Sequence, residues 1–168
     1  MDWVDDLNRG FERLLLPGRW AVRLYRLSHG VHHAGIPFLP YLIQMLNAFL
    51  HGCEIHYRAR IGKNLQIAHP RGLVVGQYVH AGKNLRLFTG AVLGVKYSGT
   101  SDQPRIGDNV TVYAGAKIIG PVSIGNNVTI GANAVVNRDI ESNCVVAGIP
   151  ARVVKRIPAE STPTAPAA

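Results

Sequence analysis

The stretch IGDNVTVYAGAKIIGPVSIGNNVTIGANAVV, residues 106–136, decides the fold of this chain. Within it an aliphatic residue returns every six positions, at Ile106, Val112, Ile118, Ile124, Ile130 and Val136. Upstream, the same interval connects Ile55, Ile61, Ile67, Leu73, Val79, Leu85 and Ala91. Small or aliphatic residues fill the fourth position beyond several of these, as in Ala59, Leu65, Val110, Ala116, Val122, Val128 and Ala134. A fixed internal period of this kind indicates a solenoid, because neither a helix nor an ordinary sandwich repeats at six.

The period predicts a mainly β fold, a left-handed parallel β-helix in which each unit of six residues is a short strand ending at a corner. Three units would close a triangular coil of about 18 residues. The aliphatic residue would point inward and stack on its equivalent in the next coil, at a strand spacing of about 4.8 Å. Glycine and asparagine suit the corners because they adopt the left-handed backbone conformation at low cost.

The repeats divide the chain into three parts. Residues 1–50 carry apolar side chains at helical spacing and predict a short N-terminal α-helical arm. Residues 51–157 form the predicted β-helix, from which residues 96–105 (KYSGTSDQPR) are extruded as a loop. Such a loop typically serves function. Residues 158–168, mostly Pro, Ala, Ser and Thr, predict a disordered tail.

Composition limits the classes of function. The 168 residues suit one core, and the net charge of +8 favours an acidic partner. The positive charges are scattered singly, which favours a phosphate-bearing cofactor over nucleic acid. Cys53 and Cys144 fit neither a metal site nor a disulfide framework, so we expect a cytoplasmic protein. The longest apolar stretch, residues 36–50, is too short to span a bilayer, and peripheral contact with the inner face of a membrane stays open.

One pair of motifs is more specific than the repeats. Glu54-Ile55-His56 is followed, fifteen residues after Glu54, by His69 within IAHPRGLVVG (residues 67–76). Together with AGAKIIG (residues 114–120) and AGIPAR (residues 147–152), these motifs resemble the serine acetyltransferase family of hexapeptide-repeat enzymes over residues 45–155. The resemblance implies an O-acetyltransferase that uses acetyl-CoA, with His69 as general base and Glu54 as the carboxylate that orients it. A neutral imidazole can accept the hydroxyl proton, and a carboxylate on its far nitrogen stabilises the imidazolium.

The same resemblance implies a homotrimer with acetyl-CoA bound in the groove between adjacent solenoids. Pantetheine contacts are expected at Gly94, Ala114 and Ala132, where small side chains let the ligand approach the backbone. Phosphate contacts are expected at Lys117, Arg152 and Lys155. We expect no metal ion.

Departures from the serine acetyltransferase pattern bear on the acceptor. Ala68 stands where that family has an acidic residue, and the loop ends Asp102-Gln103-Pro104 where the family has Arg-His-Pro. A similar branch acetylates sugar hydroxyls in capsule, exopolysaccharide or lipopolysaccharide biosynthesis, and an uncharged sugar would not need the missing charges. We therefore predict a sugar acceptor, with serine O-acetylation as the alternative.

Two further hypotheses belong to other classes. A metal-dependent protein of the γ-carbonic anhydrase type would need three converging histidines, and the spacing of His56, His69 and His80 does not match the usual pattern. A non-catalytic scaffold is the other.

Overall fold

The computed structural model describes residues 16–97 and 102–158. Two helices come first, α1 (Pro17–His33) and α2 (Leu39–His51). The strands are β1 (Glu54–Ile55), β2 (Arg60–Ile61), β3 (Gln66–Ala68), β4 (Val74–Val75), β5 (His80–Ala81), β6 (Arg86–Phe88), β7 (Val92–Gly94), β8 (Arg105–Ile106), β9 (Thr111–Val112), β10 (Lys117–Ile119), β11 (Ser123–Ile124), β12 (Val128–Ile130), β13 (Val135–Val136), β14 (Cys144–Ala147) and β15 (Arg152–Arg156). Within these ranges no helix is both long and apolar enough to cross a membrane.

Parts of three predicted segments lie outside the described residues: residues 1–15 of the arm, 98–101 of the extruded loop and 159–168 of the tail.

The strands form three parallel sheets that wrap around one axis. Their orders are β1-β4-β7-β10-β13, β11-β8-β5-β2 and β15-β14-β12-β9-β6-β3. Each strand pairs with its equivalent one coil away, and the one antiparallel pair in the described chain is β14 with β15. The predicted mainly β, parallel β-helix is confirmed.

The core is a set of aliphatic columns inside the helix. In the first sheet Ile55, Val75, Leu93, Ile118 and Val136 stack in register, and each is at most 1 % exposed. A fully buried side chain of this size contributes about 1.5–3 kcal/mol. The columns therefore hold the coils together, and the polar residues between them face outward.

The register differs from the prediction in the first coil. The structure pairs Ile55 with Val75 rather than with Leu73, so this coil advances 20 residues instead of 18. Five residues (69–73) join β3 to β4, whereas three (89–91) join the equivalent strands β6 and β7. The two extra residues lie at the corner that carries His69. Leu73 is buried nonetheless, because a shift of two keeps a strand residue on the same face.

The helical arm is fixed to the first coil. In α1 the Tyr25 hydroxyl donates to the Ala59 carbonyl at 2.8 Å, and Arg26 donates to the Ile61 carbonyl at 2.6 Å. The second helix is held to the first by Asn47, whose Nδ2 donates to the Ala21 carbonyl at 3.0 Å. These bonds set the position of α1 against β3, where the candidate site lies.

Candidate active site

His69 lies at the enlarged corner between β3 and β4, with an exposed side chain and a left-handed backbone (φ +57°). Six of the eight described non-glycine residues with positive φ are asparagines, which tolerate this conformation, and His69 is not one of them. A histidine held there costs conformational energy, and such residues cluster at functional sites. The exposed side chain and the left-handed backbone of His69 therefore mark this corner as a candidate functional site.

His69 opens onto a cleft of about 720 Å³. One wall is residues 65–70, which comprise β3 at the end of the first coil and the start of the corner that follows it. The other wall is the start of α1, with Gly18, Arg19, Val22 and Arg23. The cleft thus combines an imidazole with two guanidinium groups, and apolar side chains form part of its lining.

Glu54 lies at the start of β1, on the face that follows the His69 corner. Its backbone N–H donates to the Leu73 carbonyl at 2.8 Å, four residues beyond His69. Glu54 and His69 are therefore on two adjoining faces of the solenoid and not on neighbouring strands of one sheet. Across residues 16–97 and 102–158, no hydrogen bond or ion pair joins the two side chains.

Three of the predicted cofactor residues follow the His69 corner into later coils. Ala114 and Ala132 occupy the equivalent corners, linked by the Asn133 N–H donating to the Ala114 carbonyl at 2.9 Å. Lys117 begins β10 directly after the first of these corners, and its Nζ donates to the Gly115 carbonyl at 3.2 Å. Successive coils are about 4.8 Å apart, so these residues form one edge of the solenoid with His69 towards one end.

The other three are more dispersed. Gly94 is the last residue of β7, the middle strand of the first sheet, where it pairs with Ile119; a Cβ there would meet nothing within 4 Å. Arg152 lies opposite Ala147, at the end of β14 nearest the edge just described. Lys155 lies opposite Val145, further from that edge than Arg152.

The extruded loop returns to the solenoid at Gln103. Its Oε1 accepts a hydrogen bond from the Tyr78 N–H at 3.2 Å, which ties the end of the loop to the turn between β4 and β5. No cation of the described loop residues lines the His69 cleft.

Sequence reasoning missed Arg19 and Arg23, because it assigned residues 1–50 to the arm and sought the site in the repeats. Their spacing of four residues places both on one face of a helix, and this signal could have identified them as a pair. Only the docking of α1 shows that the pair faces His69.

The fold does not bring together His56, His69 and His80, the three histidines considered for a metal site. In the described ranges, no three His, Cys, Asp or Glu side chains gather into a cluster that could hold a metal ion.

Comparisons with known proteins agree with this geometry. The family described as bacterial transferase hexapeptide (six repeats) matches residues 103–138. A serine acetyltransferase of Helicobacter pylori is 37 % identical over 145 residues, which cover 85 % of this chain and 84 % of that protein. A serine acetyltransferase of Synechococcus elongatus is 40 % identical over 155 residues, covering 89 % of this chain and 62 % of that protein. The crystal structure of Brucella abortus serine acetyltransferase in complex with coenzyme A superposes with a TM-score of 0.82 at 32 % identity, over 86 % of this chain and 58 % of that one.

The chain therefore spans less than two thirds of the length of some of its relatives. The similarities also correct the predicted acceptor: the sugar O-acetyltransferase reading is wrong, because these relatives are serine acetyltransferases. That reading took the neutral Ala68 and residues 102–104 to mean an uncharged pocket, whereas α1 brings two cations into the cleft. The hexapeptide repeats, the His69 corner and the 37–40 % identity together show that this chain belongs to the serine acetyltransferase family.

Proposed function

We propose that this chain transfers the acetyl group of acetyl-CoA to the hydroxyl of L-serine, with His69 as the general base. The observation that carries the proposal is the position of His69, exposed on a strained corner that opens onto the cleft below α1. Membership of the serine acetyltransferase family supports serine as the acceptor.

The chemistry follows from that position. As the serine oxygen attacks the thioester carbonyl and forms the new C–O bond, His69 takes the hydroxyl proton. The C–S bond then breaks, which leaves the acetyl ester of serine and the CoA thiolate. The imidazolium then returns the proton to the departing thiolate. Glu54 lies on the adjoining face, and we propose that it orients the imidazole once the acceptor is bound, since catalytic hydrogen bonds are often loose before binding.

We also propose a homotrimer that binds acetyl-CoA along the edge marked by Ala114 and Ala132. Their small side chains support a close approach of the ligand to the backbone, and Lys117 and Arg152 lie near enough to the same edge to meet its phosphates. The free, buried thiols of Cys53 and Cys144 support a cytoplasmic location.

The test is release of the CoA thiol from acetyl-CoA with and without L-serine, for the wild type and for His69→Asn. Asparagine is chosen because it already occupies the left-handed conformation at six described corners, so the backbone is retained while the base is lost. We expect serine-dependent release that falls by about 10²–10⁴-fold in the variant, with the KM for acetyl-CoA unchanged. His80→Asn, on a strand away from the cleft, is the matched control.

Thiol release that serine does not increase would refute the proposed acceptor. An active His69→Asn variant would refute the assigned base. Sedimentation equilibrium tests the assembly, since the trimer has three times the mass of the 18.2 kDa chain.

A further inference from the structure

The side chains of Arg19 and Arg23, at the start of α1, make no hydrogen bond or ion pair with other residues that the structure describes. Arg19 and Arg23 are exposed, lie one turn apart on one helix face, and both line the cleft that contains His69. A third arginine on this helix, Arg26, differs from them because its guanidinium donates to the carbonyls of Ile61 and Gly62. Arg26 anchors the helix, whereas the other two face the cleft.

No carboxylate neutralises this pair within the described ranges. The ion pairs found there are Lys83 with Asp108 and Arg156 with Glu141, and none of the described residues that line the cleft is acidic. Two guanidinium groups that no described carboxylate neutralises, in the same cleft as an imidazole, favour a ligand that brings its own negative charge.

The environment of Arg23 suits such a ligand. Its guanidinium carbon lies 4.7 Å from the centroid of the Trp20 ring, so the flat face of the group is stacked. Stacking on a ring leaves the N–H edge of a guanidinium available, and that edge matches the two oxygens of a carboxylate.

A backbone contact between α1 and β3 determines how close Arg19 lies to His69. Gly18 packs against the carbonyl of Ile67, with no room for a Cβ atom between them. Arg19 therefore lies beside Ile67 of β3, two residues before His69. In serine the hydroxyl oxygen and the carboxyl carbon are three bonds apart, so one small acceptor can reach both groups.

We propose that Arg19 and Arg23 bind the carboxylate of the acceptor while His69 faces its hydroxyl. This inference rests on the proposed function and specifies it further, because it assigns the residues that select the acceptor by its carboxylate. These arginines are specificity residues, and they take no part in proton transfer.

The experiment compares L-serine with L-serinamide, which keeps the hydroxyl and the amine but lacks the carboxylate. We would measure kcat/KM for both acceptors in the wild type, Arg19→Gln, Arg23→Gln and the double variant. Arg60→Gln is the matched control, because it removes one exposed guanidinium from a different sheet. Binding of L-serine is measured in parallel by calorimetry, without acetyl-CoA.

We expect the wild type to prefer serine and the double variant to lose that preference by about tenfold to a hundredfold, as expected when a charge-assisted contact is removed. The rate with serinamide and the KM for acetyl-CoA should stay unchanged, which a merely damaged fold would not allow. Arg60→Gln should retain the wild-type preference.

The outcomes separate the two proposals. Normal serine acetylation with an unchanged preference in the double variant overturns the carboxylate site and leaves the proposed function standing. Serine binding that depends on the arginines, in a wild type that does not acetylate serine, supports the carboxylate site and overturns the proposed function. A wild type that neither binds nor acetylates serine overturns both.

Discussion

Gly18 of α1 and Ile67 of β3 are in direct backbone contact: a side chain at Gly18 would occupy the space of the Ile67 carbonyl group. The contact joins residues that are distant in sequence, and both of them line the cleft. It places α1, with Arg19, next to the corner that carries His69. Gly18 has an ordinary helical backbone, so glycine is not needed there for its conformational freedom. It is needed because a Cβ atom would clash with Ile67.

Gly18→Ala should push α1 away from β3. We expect a loss of about 1–3 kcal/mol in the free energy of unfolding, as for other overpacked contacts, together with a higher KM for the acceptor. The matched control is Gly30→Ala in the same helix, where an added Cβ meets nothing within 4 Å. That change should stabilise the protein by about 0.5–1 kcal/mol, because alanine favours the helix. Urea unfolding measures both, and equal effects would contradict the proposed contact.

A ladder of asparagine side chains runs along another corner of the solenoid. Asn109 lies in its middle: its Oδ1 accepts from Asn84 at 2.6 Å, and its Nδ2 donates to Asn127 at 2.9 Å. Its backbone is left-handed, with φ +58°. Asn109→Ala should therefore lose two hydrogen bonds and gain backbone strain, with an expected destabilisation of about 2–4 kcal/mol.

Asn109→Gly separates these two causes, because glycine accepts the left-handed backbone and removes only the ladder. We expect thermal unfolding to place this variant between the wild type and Asn109→Ala. If the two variants were equally destabilised, backbone strain would contribute nothing at this corner.

His56 should make the protein less stable in mild acid. Burial, and next the charges of Arg58 and His32, lower the pKa of His56 below its ordinary value of 6.5. The folded state then favours the neutral ring. The contribution of His56 to the free energy of unfolding is therefore complete above about pH 6.5. It is lost as the pH falls below that value, because the unfolded chain takes up the proton first.

His56→Gln tests this sign. The variant also loses the stacking of His56 on Tyr57, whose ring centroids are 4.4 Å apart, but that loss is the same at every pH. Between about pH 7.5 and about pH 5 the melting temperature of the variant should therefore fall less than that of the wild type. If the melting temperatures of the wild type and the variant fell equally, the acid sensitivity would come from groups other than His56.

The candidate site could be predicted in part. The motif around His69 predicted a general base, and the small residues Ala114 and Ala132 were expected along the ligand groove. The structure places all three residues on one edge of the solenoid, and their roles stay predictions. The acceptor was predicted wrongly, because absent charges were counted only within the repeats. Arg19 and Arg23 lie some fifty residues upstream of His69, and no local pattern connects the two regions.

The sequence by itself determined the β-helix, because the period of six and the alternation of inward and outward side chains are local properties of each strand. Only the tertiary structure decided the register across the His69 corner, where two extra residues shift the columns without exposing Leu73. Only the tertiary structure decided the charge of the cleft as well. The position of α1 depends on contacts between distant residues, such as Tyr25 with Ala59 and Gly18 with Ile67, and these form when the whole first coil is assembled.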